Sequence, residues 1–213
     1  MSHVQTRRLL TALAVAGICA CTPAGATTAI SLTNPGVVFD SSPYTLGFAF
    51  SVATDVNLVG LGVYDDQGDG LEAPAEVALW TGNSQVETLS ALVPAGTSGA
   101  LEGAFRFTAV APLRLHAGEV YVVAAYLDGG SATSFGLGQQ GAATLDGRVS
   151  LLGNRFGVGF FERVYPDQSD GASGAWLGAN FQLAPVPEPA AASLLALGLA
   201  ALAWRRRSAF SQV

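Results

Sequence analysis

Leu46-Gly47-Phe48-Ala49-Phe50-Ser51-Val52 alternates large apolar with small residues, and after a turn at Thr54-Asp55 the alternation resumes in Val56-Asn57-Leu58-Val59-Gly60-Leu61-Gly62-Val63-Tyr64. A period of two places successive side chains on opposite faces of an extended strand, whereas a helix would scatter the same residues around its circumference. The signature recurs at 76–81, 85–89, 104–110, 119–127, 148–152 and 176–183, between clusters of Gly, Pro, Asp and Ser, as expected for strands separated by turns. Gly82-Asn83-Ser84 reads as a hairpin loop between two of them. The pattern predicts an all-β fold, an antiparallel β-sandwich of jelly-roll type. The polar, glycine-rich stretches 129–147 and 165–174 are expected to form loops at one end of it, where a rigid scaffold commonly presents its binding residues.

Two apolar segments interrupt this pattern, one at each end of the chain. Arg7 and Arg8 precede an apolar run over 9–20, and Ala24-Gly25-Ala26 supplies small residues before Thr27. That order predicts a helical signal peptide over 1–26, cleaved next to Ala24 and Ala26 by the secretion machinery. At the other end Val186-Pro187-Glu188-Pro189 precedes an apolar stretch over 190–204 and then Arg205, Arg206 and Arg207. Fifteen residues rising about 1.5 Å each cover roughly 22 Å of a hydrocarbon core about 30 Å thick, so the stretch predicts a short transmembrane helix with a transient hold on the membrane. The arginines belong on the cytoplasmic side, which leaves everything before Pro187 outside. The expected organisation is a signal peptide over 1–26, a β-sandwich domain over 27–184 and a terminal segment over 185–213.

Both cysteines, Cys19 and Cys21, precede the sandwich, so an exported domain here must be stabilised by packing and not by disulfides. Between residues 27 and 186 five arginines face fifteen acidic residues, a formal charge of −10, and the chain has no lysine. Such a surface lacks the basic patch that nucleic acid requires.

The residues that could carry chemistry are few. Asp65, Gln67, Asp69, Gly70, the backbone carbonyl of Leu71 and Glu76 fall at positions 1, 3, 5, 6, 7 and 12 of a calcium-binding loop, which makes calcium the one cofactor the spacing suggests. Gln67 in place of an acid, Pro74 inside the loop and strand-like flanks favour the alternative, a solvated acidic turn. His116 is the single histidine after residue 26, and no Gly-x-Ser-x-Gly elbow occurs. No residue is therefore assigned as catalytic, and a non-enzymatic role is expected. Trp80 and Tyr121 read as core residues and Tyr165 as the candidate exposed ring, while Asn180 and Gln182 are expected to face outward from the last strand.

Pro187-Glu188-Pro189 with a short apolar helix and an arginine cluster at the chain end resembles the PEP-CTERM sorting signal of Gram-negative bacteria. The resemblance implies recognition by exosortase, a membrane-embedded protease that cuts near the motif. Leu61-Gly62-Val63-Tyr64-Asp65-Asp66-Gln67-Gly68-Asp69-Gly70-Leu71 and the strand Glu76-Val77-Ala78-Leu79-Trp80-Thr81 resemble a domain of unknown function common in such proteins. The likeness continues through Gly103-Ala104-Phe105-Arg106-Phe107, Leu115-His116-Ala117-Gly118-Glu119-Val120-Tyr121 and Gly178-Ala179-Asn180-Phe181-Gln182. Together these imply an inner-membrane-tethered precursor destined for the cell surface or the extracellular matrix. The setting implied is exopolysaccharide or biofilm, and the role a structural or carbohydrate-interacting module. The alternatives are a secreted polysaccharide-acting hydrolase and a calcium-dependent adhesin.

Overall fold

Alternation becomes strand where the apolar face of an element finds cover, and the runs 46–52 and 56–64 supply two strands whose large side chains enter the core. A computed structural model of the chain describes residues 25–41, 44–127, 130–136, 141–159, 162–186 and 197–198. The expected signal peptide up to Ala24, the motif residues Pro187, Glu188 and Pro189, all but 197–198 of the apolar stretch, and Arg205, Arg206 and Arg207 lie outside the described residues. Among the described residues no helix is long and apolar enough to cross a membrane.

In chain order the strands are β1 (Thr27–Thr28), β2 (Ile30–Asn34), β3 (Phe39–Ser41), β4 (Tyr44–Val52), β5 (Val56–Tyr64), β6 (Ala75–Thr81), β7 (Glu87–Val93) and β8 (Ala100–Glu102). They continue with β9 (Phe105–Leu115), β10 (Val120–Leu127), β11 (Gly130–Phe135), β12 (Ala142–Leu145), β13 (Val149–Val158), β14 (Ala175–Leu177) and β15 (Ala179–Pro185). One sheet runs β1-β15-β5-β9-β8 and the other β13-β4-β10-β6-β7, with a small three-stranded sheet β14-β11-β3 and the pair β12-β2 beside them. Every strand pairing is antiparallel. Strands far apart in sequence interleave, β4 with β10 and β5 with β15, and within the two five-stranded sheets the orders β1-β15-β5-β9 and β4-β10-β6-β7 follow the two four-strand halves of a jelly roll. The expected sandwich is what the chain forms.

The core lies between the sheets and takes the large member of each alternation. Leu46, Phe48 and Phe50 from β4, Val77 and Leu79 from β6, and Tyr121, Val123 and Ala125 from β10 meet Leu58, Leu61, Val63, Phe181 and Leu183 from the opposing sheet. Phe50 stacks on Phe181 across the sandwich with ring centroids 4.4 Å apart, a contact that adds about 0.5–1.5 kcal/mol to the area it buries. Gly47 is required by the close approach of β4 to β10, because a β-carbon there would overlap the Val123 carbonyl and Ala124. Asn180 does not face outward as expected. It is buried, and its Nδ2 donates to the Ile30 carbonyl at 2.7 Å while its Oδ1 accepts from the Ile30 and Phe181 amides, which stitches β15 to β2. Gln182 is half-buried and donates to Glu102 at 2.6 Å.

Three other expectations are corrected. The stretch 129–147 contains strands β11 and β12, and in β11 Thr133 and Ser134 are buried beside Ala132 in spite of their polarity. The run 176–183 is broken at Gly178, where the chain leaves β14 in the small sheet and enters β15 in the large one. The stretch 165–174 is no end loop but part of a strap that crosses the outer face of the second sheet. That face carries a second apolar cluster, Ala49, Ala78, Trp80, Val122 and Ala124, against which Tyr165 packs. Tyr165 is therefore half-buried and not an exposed ring. It meets Trp80 edge-on, 5.8 Å between centroids, and donates from its hydroxyl to the Gly82 carbonyl at 3.2 Å.

Polar side chains fasten the strap at both ends. Arg163 reaches both Glu87 oxygens at 2.7 and 2.8 Å and Glu76 at 2.7 Å. Buried Asn154 accepts from Ser169 and the Asp170 amide and donates to Asp170 and the Ala172 carbonyl. The Ala172 amide and Asn154 together hold the Asp170 carboxyl below its ordinary range.

Candidate functional site

A cleft of about 350 Å³ opens at the end of the sandwich where β5 turns towards β6, and Tyr64, Asp66, Gln67, Asp69, Glu72 and Tyr126 are among the residues that line it. Its floor is fixed by an ion pair. Asp65 and Arg106 are both buried, with Arg106 Nε 2.5 Å from Asp65 Oδ2. The N–H does not point along that contact, so the pair is held by charge more than by a linear hydrogen bond. Arg106 also donates to the carbonyls of Gly68, Gly99 and Thr97 at 2.8, 3.1 and 3.4 Å, which joins the 65–70 turn to the neighbouring 96–99 turn. Asp65 Oδ1 accepts from the Gly70 amide at 3.2 Å.

The turn itself is a short 3-10 element, Asp66–Gly68, in which Gln67 alone among the described non-glycine residues has positive φ, 63°. A left-handed conformation is disfavoured for a side chain of that size, and it directs the 65–70 turn around the cleft. Tyr64 donates from its hydroxyl to Asp66 Oδ1 at 3.0 Å, and burial, with Asp66 next, pushes its pKa well above the ordinary tyrosine value. Asp69 and Glu72 make no side-chain hydrogen bond or ion pair with the described residues and face the open cleft. Half-buried Tyr126 contributes its ring from β10.

The calcium-binding arrangement suggested by spacing is not assembled. Asp65 is committed to Arg106, Glu76 to Arg163, and the Leu71 carbonyl accepts from the Gly96 amide at 2.7 Å. Gln67 Nε2 donates to Asp66 Oδ2 at 3.4 Å, which leaves Asp69 as the one of the five proposed ligands without a partner among the described residues, where no three acidic or histidine side chains come together as a group that could hold a metal. The two turns close on each other instead. A β-carbon on Gly70 would lie 2.9 Å from the Gly96 backbone, so Gly70 serves close packing where the spacing suggested an ion-binding turn.

The opposite end of the sandwich is built differently. Arg114 pairs with Asp55 at 2.7 Å, and Asp55 also accepts from the Ala117 amide at 2.9 Å. His116 is exposed on that turn, 3.6 Å from Asp55, and its backbone amide is engaged by the Tyr121 hydroxyl. Tyr121 accepts from the His116 amide and donates to Glu119 at 2.6 Å. Burial, followed by Glu119, raises its pKa to about 12. Arg148 holds both oxygens of Asp146 at 2.8 Å and the Thr27 hydroxyl at 2.6 Å, and the Arg148 guanidinium keeps the Asp146 carboxyl far below its usual range. Ala26, on the expected cleavage site, is exposed one residue before β1. Val186 follows directly on β15.

Residues 32–177 of the chain match the domain of unknown function DUF4082 over more than half its length. The chain belongs to this family. Residues 185–207 match the PEP-CTERM protein-sorting motif, which takes in Val186, Pro187, Glu188, Pro189 and the three arginines. The DUF4082 protein described here is thus an exosortase-sorted exported protein, processed at the membrane and directed to the cell surface. No curated protein matches the chain.

Proposed function

We propose that this protein is a non-enzymatic module of the cell surface or extracellular matrix that contacts exopolysaccharide through the cleft at its 65–75 end. Residues 1–26 act, in this reading, as the signal peptide that delivers it to the secretion machinery. The observation that carries the proposal is the lining of the cleft: Tyr126 beside the amide of Gln67 and the carboxylates of Asp69 and Glu72, of which the two carboxylates make no hydrogen bond or ion pair with the described residues. Sugars present apolar C–H faces and rings of hydroxyl donors, and a site that offers an aromatic face with acceptors around it can satisfy both. The absence of basic lining residues suits neutral polymers better than anionic ones.

Titration of the purified domain with neutral bacterial exopolysaccharide fragments provides the test. Binding is expected to be saturable and unchanged by EDTA, and Tyr126→Ala is expected to weaken it about tenfold, the scale of one lost stacking contact. Release of reducing ends that disappears in Glu72→Gln or Asp69→Asn would replace this reading with a hydrolase. Binding that EDTA abolishes would replace it with a calcium-dependent adhesin.

A further inference from the structure

The two ends of the chain that flank the sandwich leave it at the same place. Thr27 pairs with Leu183 and Thr28 with Gln182 in antiparallel register, so residues 25–26 and 184–186 run out side by side. In the neighbouring strand Pro185 lies opposite Val56 and Ala179 opposite Val63. The exit end is thus the Val56 end, with the 53–55, 82–86, 116–119 and 146–148 turns. The cleft of Tyr64, Asp69 and Glu72 is at the other end of the same strand. Nine residues of β5 at about 3.3 Å each separate the two ends by roughly 30 Å.

Four residues, 186–189, join the end of β15 to the apolar stretch that begins at Ala190. Fully extended they reach about 14 Å. To bring the cleft end to the bilayer, the exit end would have to stand roughly 30 Å above it, about twice the reach of that connection. Charge acts in the same sense. Asp66, Asp69, Glu72 and Glu102 lie at the cleft end, where Arg106 is buried against Asp65, whereas at the exit end Asp55 and Asp146 are paired with Arg114 and Arg148 and Glu119 is the acid on those turns without an ion pair among the described residues. An anionic lipid surface repels the first end more than the second.

We propose that, while the sorting segment is held in the membrane, the end of the sandwich formed by the 53–55, 116–119 and 146–148 turns faces the lipid and the cleft opens away from it. The domain is oriented before it is released, so its ligand face is accessible from the moment of folding and the cutting site lies under the exit end.

The full-length precursor, reconstituted in phosphatidylethanolamine–phosphatidylglycerol vesicles, tests this. With Cys19→Ser and Cys21→Ser the chain has no cysteine, and single dyes can then be placed at exposed Glu72→Cys or Ala117→Cys. Energy transfer to an acceptor lipid is expected to be several-fold stronger from position 117 than from position 72. The pair Asn83→Cys and Asp69→Cys, at the exit and cleft ends, should repeat the order and guards against a local effect of either label. Equal transfer from both ends, or stronger transfer from 72 and 69, would overturn the proposal.

Discussion

Arg106→Ala is expected to lower the free energy of unfolding by about 3–5 kcal/mol, because it leaves Asp65 charged, buried and without its counter-ion. At this chain length the midpoint of thermal unfolding should fall on the order of 10 °C. Arg106 is 3% exposed and ties three carbonyls as well as the carboxylate, so water cannot readily replace what alanine removes. The effect should also be local. Gly68 and Gly99 lose their shared donor, and the 65–70 turn that forms the rim of the cleft should exchange its amide protons faster than the sandwich. Replacing both partners by apolar residues, Asp65→Leu with Arg106→Met, should recover a large part of the loss, since the desolvation penalty disappears with the charges. A single Arg106→Ala variant within about 1 kcal/mol of the parent in urea denaturation would refute the role given to this pair.

Trp80→Ala is the second large effect, about 3–5 kcal/mol for a buried aromatic side chain deleted from a packed site. Trp80 is 1% exposed, yet it belongs to the cluster on the outer face of the sheet and not to the core between the sheets. Its loss should therefore do more than destabilise. Tyr165 loses its ring partner, and the strap, still pinned by Arg163 and Asn154, should become cleavable by protease within 162–174 under native conditions. Trp80→Phe should be milder, since it keeps a ring under Tyr165 and removes an Nε1 that has no hydrogen-bond partner among the described residues. Native-state proteolysis with mass mapping checks this, and cleavage elsewhere first, or a loss below about 1 kcal/mol, would contradict the strap's dependence on Trp80.

Strands such as β4, β5 and β10 were legible because one alternating face had to be covered, and period two has no other use for Leu46, Phe48 and Phe50. The strap was not, although a signal for it existed. In β6 both Val77 and Leu79 on one face and Ala78 and Trp80 on the other are apolar, and a strand apolar on both faces needs a covering layer on each side. The covering segment itself is polar and glycine-rich, so its own composition reads as a loop. The partners of the candidate site residues were hidden in the sequence for a related reason. Acidic spacing over 65–76 reports which residues are near one another along the chain, while the partners that claim Asp65 and Glu76 are Arg106 and Arg163, from β9 and the strap. An arginine inside an apolar strand, Phe105-Arg106-Phe107, was the clue that a buried acid must exist to meet it. Asn180 between Ala179 and Phe181 carried the same kind of message, a buried amide that ties its strand to the next.

What the domain does at the surface depends on its being cut from its anchor, and that step is directly observable. Intact-mass and peptide mass spectrometry of the protein recovered from wild-type cells defines its C-terminus. The account predicts a mature chain that ends near Val186-Pro187-Glu188-Pro189 and lacks the apolar residues 190–204, while cells without exosortase retain the full segment. A mature protein that still carries 190–204 in wild-type cells would contradict it and make the segment a permanent anchor.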